Sequence, residues 1–363
     1  MTEPGERIRQ LVRPAVQAMQ AYQVPDPGRM VKLDAMENPY HWSEDLVDAW
    51  LERLRAVDIN RYPNPAATGL KRRMRETLGI PGGAGLMLGN GSDELIQLLG
   101  MALGGDDRTV LAPEPGFAMY RLIAGFTGMK FVDVPLRESD FSLDVEAMLD
   151  AIDKHRPAII YLAYPNNPTG NAFDRRAVDA VIRAAPGLVV VDEAYHAFCG
   201  ETFMDALPEH SHLLVMRTVS KMGLAGLRLG YLAGHPEWIE QLEKCRLPYN
   251  INVLTQASAS FALEHVDLLN QQTAQIRADR DHLQVILEQV QGVAKVWPSV
   301  ANFITFRVGT GQAGRVHEAL REQGVLIKQL DGAHSMLKDC LRVTVGTADE
   351  NAAFLAALEK ARP

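Results

Sequence analysis

Thr218-Val219-Ser220-Lys221-Met222-Gly223-Leu224-Ala225-Gly226-Leu227-Arg228-Leu229-Gly230 places one lysine among small and apolar neighbours, with a hydroxyl before it and an arginine seven residues after it. The preceding Leu213-Leu214-Val215-Met216 reads as a buried strand, and the chain from Leu229 onward leads into another. An ammonium held between two such strands is partly desolvated. Desolvation lowers its pKa, which suits a lysine that must be a free amine to attack a carbonyl and form a Schiff base. A strand-end lysine standing alone reaches back to water instead, so the chemical reading depends on what else the chain brings to the same place.

Outward from this stretch, strands and helices alternate. Leu86–Gly89 runs as strand into a glycine turn, with Ser92 or Asp93 as the expected N-cap of a helix over 94–103. Strands follow at 109–112, 130–134, 158–164, 188–191, 213–218 and 229–233, with helices near 116–127, 143–154 and 174–184 between them. That rhythm predicts an α/β domain with a mostly parallel sheet, whose ligands lie at the carboxyl ends of the strands. Upstream, apolar spacing predicts an opening helix over 6–22, a short strand at 31–34 and helices over 43–56 and 69–78. Downstream, a long helical stretch over 252–291 leads to a smaller α+β lobe whose last helix opens with the capping box Thr347-x-x-Glu350. The expected division is an N-terminal arm over 1–40, a large domain over 41–260 and a small C-terminal domain over 261–363.

Composition narrows the partners. With 363 residues, a 47% hydrophobic and a 23% charged share, the chain has the make-up of an ordinary globular protein rather than a disordered one. The net charge is -8 and no basic block occurs, so neither a nucleic-acid face nor an anionic-membrane face has support. No apolar run approaches the roughly 18 to 20 residues of a spanning helix, and Met-Thr-Glu-Pro-Gly-Glu is no signal peptide; a cytoplasmic location is expected. Cys199, Cys245 and Cys340 form no Cys-x-x-Cys pair, and the ten histidines form no His-Glu-x-x-His, so no metal is expected.

Four motifs fall at strand ends of the same expected sheet. Gly89-Asn90-Gly91-Ser92-Asp93 offers backbone N–H groups at a helix N-terminus, suited to a phosphate, although a plain strand-to-helix turn has the same composition. Tyr164-Pro165-Asn166-Asn167-Pro168-Thr169-Gly170 is a turn rich in turn residues. Val189-Val190-Val191-Asp192-Glu193-Ala194-Tyr195 ends an apolar strand in a carboxylate that could pair with a protonated heterocyclic nitrogen. The fourth is Ser220-Lys221 with Arg228.

Taken in this order, the motifs resemble the fold-type I pyridoxal-phosphate aminotransferases. Within that superfamily they are most similar to the histidinol-phosphate aminotransferases, through Glu37-Asn38-Pro39-Tyr40, Arg61-Tyr62-Pro63, Gly91-Ser92-Asp93-Glu94, Tyr164 to Gly170, Asp192 to Tyr195 and Leu341-Arg342-Val343-Thr344-Val345-Gly346-Thr347. The resemblance implies a sheet of the seven-stranded type between helices, and pyridoxal 5'-phosphate as cofactor. It also implies a homodimer with shared active sites. Lys221 would carry the cofactor covalently and move the substrate proton, while Asp192 would keep the pyridine nitrogen protonated. Asn167 and Tyr195 would hydrogen-bond the phenolic oxygen. Gly91, Ser92, Asp93, Ser220 and Arg228 would hold the phosphate, and Tyr62 would reach the phosphate of the other subunit. Phe117 stands where the family commonly has a stacking tyrosine. Arg342 would grip the substrate's phosphate or carboxylate. Lys328 replaces a second arginine, keeping the charge but not the fork. Tyr22 would close the pocket, with Asn38 counted among the substrate contacts. The loop from Lys221 to Arg228 is one residue shorter than in many relatives, and Gly223 is expected to permit it.

The implied reaction moves the amino group of L-histidinol phosphate to 2-oxoglutarate in histidine biosynthesis. Alternatives are an aromatic or broad-specificity amino-acid transaminase and a decarboxylase of the threonine-phosphate type. A transaminase-like regulatory domain is a third, and Lys221, Asp192 and Arg228 together argue against it.

Overall fold

Ile159–Ala163, Leu188–Asp192 and Leu213–Thr218 are buried along their whole lengths, which is why their sequences lack polar alternation. The computed structural model describes residues 4–21 and 24–361. Its first half runs α1 (Pro4–Leu11), α2 (Pro14–Gln17), β1 (Val31–Leu33), α3 (Glu44–Arg55), α4 (Thr68–Thr77), β2 (Gly85–Gly89), α5 (Ser92–Leu103), β3 (Thr109–Glu114), α6 (Ala118–Thr127), β4 (Lys130–Pro135) and α7 (Val145–His155). Next come β5 (Ile159–Ala163), α8 (Arg175–Ala184), β6 (Leu188–Asp192), β7 (Leu213–Thr218), β8 (Gly230–Gly234), α9 (Pro236–Glu243), α10 (Val253–Glu264) and α11 (Val266–Leu287). The chain closes with β9 (Val293–Val296), β10 (Phe303–Val308), α12 (Ala313–Glu322), β11 (Val325–Gln329), β12 (Cys340–Thr344) and α13 (Ala348–Ala361).

The large sheet has the order β2-β8-β7-β6-β5-β3-β4. β8 is antiparallel to both neighbours and the other pairs are parallel, so the expected α/β architecture with a mostly parallel seven-stranded sheet is found. Successive residues of a strand face opposite sides, and here they sort into two apolar cores. Val189, Val191, Leu213 and Val215 join the core that holds Ile160 and Leu162. Leu188, Val190, Leu214 and Met216 join the other, built with Leu95 and Ile96 of α5 and Tyr120 and Ile123 of α6. The same alternation puts Asp192 and Glu193 on opposite faces, so one can serve the cavity while the other serves the core behind it. Glu193 does the latter, with its carboxylate 2.7 Å from Arg217 Nη2, both side chains almost fully buried.

The second sheet has the order β1-β11-β12-β10-β9, and its pairs are antiparallel except for β1 with β11. Val31–Leu33, expected within the N-terminal arm, therefore forms a strand of the C-terminal sheet, where it covers an edge of β11 that would otherwise stand unpaired. The opening helix expected over 6–22 is broken into α1 and α2, because Pro14 has no N–H to continue the ladder. The helical stretch expected over 252–291 divides at His265 and ends before β9. The Thr347–Glu350 capping box forms, with Thr347 N–H donating to Glu350 Oε2 at 2.8 Å and Glu350 N–H to Thr347 Oγ1 at 3.3 Å. Among the described residues no helix is long and apolar enough to cross a membrane, and no His, Cys, Asp and Glu side chains gather as a metal site.

Candidate active site

The carboxyl ends of β5, β6 and β7 and the N-terminus of α5 open onto one cavity of about 410 Å³. It is lined by Ser92, Asp93, Phe117, Asn167, Asp192, Tyr195, Ser220, Lys221 and Arg228, so nine of the expected cofactor residues meet in one place.

At one end stands α5. Its N-cap is Gly91, not Ser92 or Asp93 as expected, and no side chain caps the helix. Ser92 and Asp93 instead form the first helical positions and turn their side chains to the cavity, leaving the N-terminal amides of α5 on its edge. Gly91 has φ +85, and a Cβ there would lie 2.7 Å from Arg228 Nη2; one on Gly230 would lie 2.8 Å from Ser92 N. Gly91 is thus favoured by its positive φ and Gly230 by close backbone approach. Arg228 itself is left-handed at φ 50 and its guanidinium lies 3.6 Å from Asp93 Oδ2. Ser220 is placed by Thr218, whose hydroxyl lies 2.8 Å from Ser220 Oγ and accepts from Ser220 N–H at 3.1 Å. A cation, a hydroxyl and unsatisfied helix amides together make an anion site.

Lys221 follows on a short 3-10 turn over Ser220–Met222, closed by Gly223 at φ +119. A φ of this sign is one that residues with side chains rarely adopt, which is why a glycine ends the turn. The Lys221 ammonium donates to the Ala35 carbonyl at 3.0 Å and lies 5.9 Å from the centre of the Tyr195 ring. Burial, aided by the charges of Arg342 and Arg228 and opposed by Glu37 and Asp93, lowers its pKa to about 8.

Asp192 is 4% exposed. Burial pushes its pKa up to about 6, with Asp93 and Glu193 adding to the rise, while donors from Tyr120 and the Ala194 amide oppose it. Tyr120 O–H donates to Asp192 Oδ2 at 2.7 Å, and Ala194 N–H to Oδ1 at 3.0 Å. Tyr120 escaped the sequence reading, since a tyrosine on an amphipathic helix carries no motif.

Asn167 Nδ2 donates to the Tyr195 hydroxyl at 3.0 Å, and its Oδ1 accepts from Arg342 Nη1 at 2.5 Å. The turn holding Asn167 has cis peptides before Pro165 and Pro168. Arg342 also donates to the Asp34 carbonyl at 3.1 Å and lies 5.1 Å from the centre of the Phe303 ring. Lys328 is opposite Arg342 in the β11–β12 register. Both line a second cavity of about 370 Å³ that shares Met36, Phe117 and Asn167 with the first. Asn38 lies outside both. Its amide donates to the Met222 carbonyl and to Gln272 Oε1, each at 3.1 Å, bracing the lysine turn from behind. Tyr62 is 81% exposed and stacks on Tyr249 with centroids 4.4 Å apart, away from the cavity of its own chain. Tyr22 lies outside the described residues.

Residues 28–358 match the family model for aminotransferase class I and II. The chain is 56% identical to histidinol-phosphate aminotransferase 2 of Nitrosococcus oceani over 98% of its own length and 99% of the relative's. It is 54% identical to histidinol-phosphate aminotransferase 1 of Ralstonia nicotianae, over 96% and 93%. In fold it resembles the histidinol-phosphate aminotransferase of Sinorhizobium meliloti in complex with pyridoxal-5'-phosphate, with a TM-score of 0.87, 24% identity and 97% of each chain covered. A single lysine, carboxylate and anion site converging on one cavity of this fold, together with a family match across nearly the whole chain, lead to one assignment: the protein belongs to the class I and II aminotransferases.

Proposed function

We propose that the protein binds pyridoxal phosphate and transfers the amino group of L-histidinol phosphate to 2-oxoglutarate, giving imidazole-acetol phosphate and glutamate. The observation that carries the substrate is the 56% identity along 98% of the chain to a histidinol-phosphate aminotransferase. The cavity fits the cofactor in its donor set: Arg228, Ser220 and the amides of α5 for a phosphate, Asp192 for a ring nitrogen and Lys221 for an aldehyde.

When bound, the cofactor supplies an electron sink for the pair left on the substrate carbon after deprotonation. Lys221 provides the free amine for covalent attachment and, once displaced by substrate, takes and returns that proton. Asp192 holds a proton on the ring nitrogen. Asn167 and Tyr195, already bonded to each other, hold the phenolic oxygen. Arg342 and Lys328, on neighbouring strands of the adjoining cavity, take the anionic end of each substrate in turn. We assign this work to a large lobe over 41–260 with a smaller one over 261–363, the 1–40 arm lending β1 to the latter, and place the enzyme in the cytoplasm. A homodimer is supported by the exposed rings of Tyr62 and Tyr249 beside exposed Ile59 and Leu247, a surface a second copy can cover while offering Tyr62 to the neighbouring phosphate site.

The test is the absorbance of the purified protein before and after adding histidinol phosphate without a keto acid. A band at about 400 nm should move toward about 330 nm if histidinol phosphate is an amino donor. A band bleached by another amine but indifferent to histidinol phosphate discards the substrate, and carbon dioxide without a keto product decides for decarboxylation.

A pH dependence follows from Lys221. Only the free amine attacks, so below its pKa of about 8 the rate at which cofactor-free protein captures pyridoxal phosphate should rise about tenfold per pH unit. It should level off above about pH 8, whereas an ordinary lysine would level off about two units higher. Stopped-flow absorbance across pH 6 to 10 reads the plateau directly.

A further inference from the structure

We propose that Tyr120 is a positioning residue that holds the Asp192 carboxylate charged and fixed in orientation, so that the proton between Asp192 and the cofactor's ring nitrogen stays on nitrogen. The inference rests on the cofactor reading above and assigns a role to a residue outside the family-like motifs.

Each oxygen of Asp192 accepts one hydrogen bond, from Ala194 N–H on Oδ1 and from Tyr120 O–H on Oδ2. The two donors come from different elements, so the carboxylate cannot rotate without losing one. Tyr120 is itself immobilised. It is 2% exposed, stacked on Tyr161 at 4.5 Å with 3° between the planes, and edge-on to Phe117 at 5.4 Å. The period-2 alternation of β5 and β6 puts Tyr161 and Asp192 on the α6 face of the sheet, so the stack and the hydrogen bond follow from one register.

The surroundings explain why such a donor is needed. Asp192 is buried, and Asp93 and Glu193 both disfavour its charge. The Tyr161 phenol on the same face stays neutral, because burial and the charge of Asp192 push its pKa well up. A donor to a carboxylate stabilises its charged form. Where carboxylate and ring nitrogen share one proton, that donor shifts it toward nitrogen, and its loss shifts it toward oxygen.

Tyr120→Phe removes the hydroxyl and keeps the ring. The holoenzyme is loaded with pyridoxal phosphate labelled with nitrogen-15 in the ring, and the nitrogen resonance is compared with wild type. In wild type it should lie at the pyridinium position. In Tyr120→Phe it should move toward neutral pyridine, with kcat down about tenfold and KM little changed. In Tyr161→Phe, which keeps the stack and the Tyr120 hydroxyl, it should stay at the wild-type position. An unmoved resonance in a folded, loaded Tyr120→Phe protein overturns the proposal and leaves the cofactor reading intact. A neutral nitrogen in loaded wild type overturns the proposal together with the proton-holding role given to Asp192. Should Tyr120→Phe fail to load, the Asp192 carboxyl carbon is titrated in cofactor-free protein. Its midpoint should rise by about one unit from the wild-type value of about 6, and an unchanged midpoint overturns the proposal.

Discussion

Lys221→Ala yields a folded protein that still takes up pyridoxal phosphate but turns over histidinol phosphate at a rate lower by about 10⁴-fold or more. The size follows from removing a nucleophile and a proton carrier together, the second alone being worth about 10²- to 10⁴-fold. Folding should survive because the side chain's hydrogen bond goes to a single backbone carbonyl, that of Ala35, and because losing a desolvated ammonium relieves as much as it costs. Cofactor uptake should survive because the anion site and Asp192 do not depend on the lysine. Borohydride followed by intact-mass measurement separates the two properties, since it fixes the cofactor on wild type and not on the variant. Wild-type turnover in Lys221→Ala would remove the lysine from the mechanism, and an unfolded variant would mean the ammonium is structural.

What was legible in the sequence is what neighbouring residues encode between themselves. β6 announced itself as an apolar run ending in Asp192, and the glycine turn after β2, the lysine turn and the Thr347–Glu350 box were each readable within a few residues. Pairings that depend on distant register were not. Nothing in Val31–Leu33 says that it lies beside Val325–Ile327, and nothing on α6 says that Tyr120 meets Asp192. Asn38 shows the boundary from the other side. Its motif was visible, but its amide is engaged by Met222 and Gln272, the latter on a helix far along the chain. Asp192 lies at a strand end, which the period-2 pattern marks, whereas Tyr120 and Gln272, which brace the site from behind, lie on helices whose facing depends on packing.

The same logic locates the largest stability effect outside the site. Arg217→Ala should destabilise the protein by about 3 to 5 kcal/mol, because it strands a buried carboxylate. Arg217 and Glu193 occupy the face of β6 and β7 away from the cavity, with Arg217 Nε 2.8 Å and Nη2 2.7 Å from Glu193 Oε2. The arginine also donates to the Leu78 carbonyl at 3.2 Å and to Thr202 Oγ1 at 2.7 Å, tying the end of the sheet to the chain after α4 and after β6. Glu193 keeps donors from Thr202 and the Phe203 amide, which soften the loss without neutralising the charge. The urea midpoint of cofactor-free protein reads the loss. A double variant, Glu193→Leu with Arg217→Met, should recover most of the loss, because a dry apolar pair leaves no charge behind. If the double variant is as unstable as Arg217→Ala, the arginine acts through its bonds to Leu78 and Thr202 rather than through the ion pair.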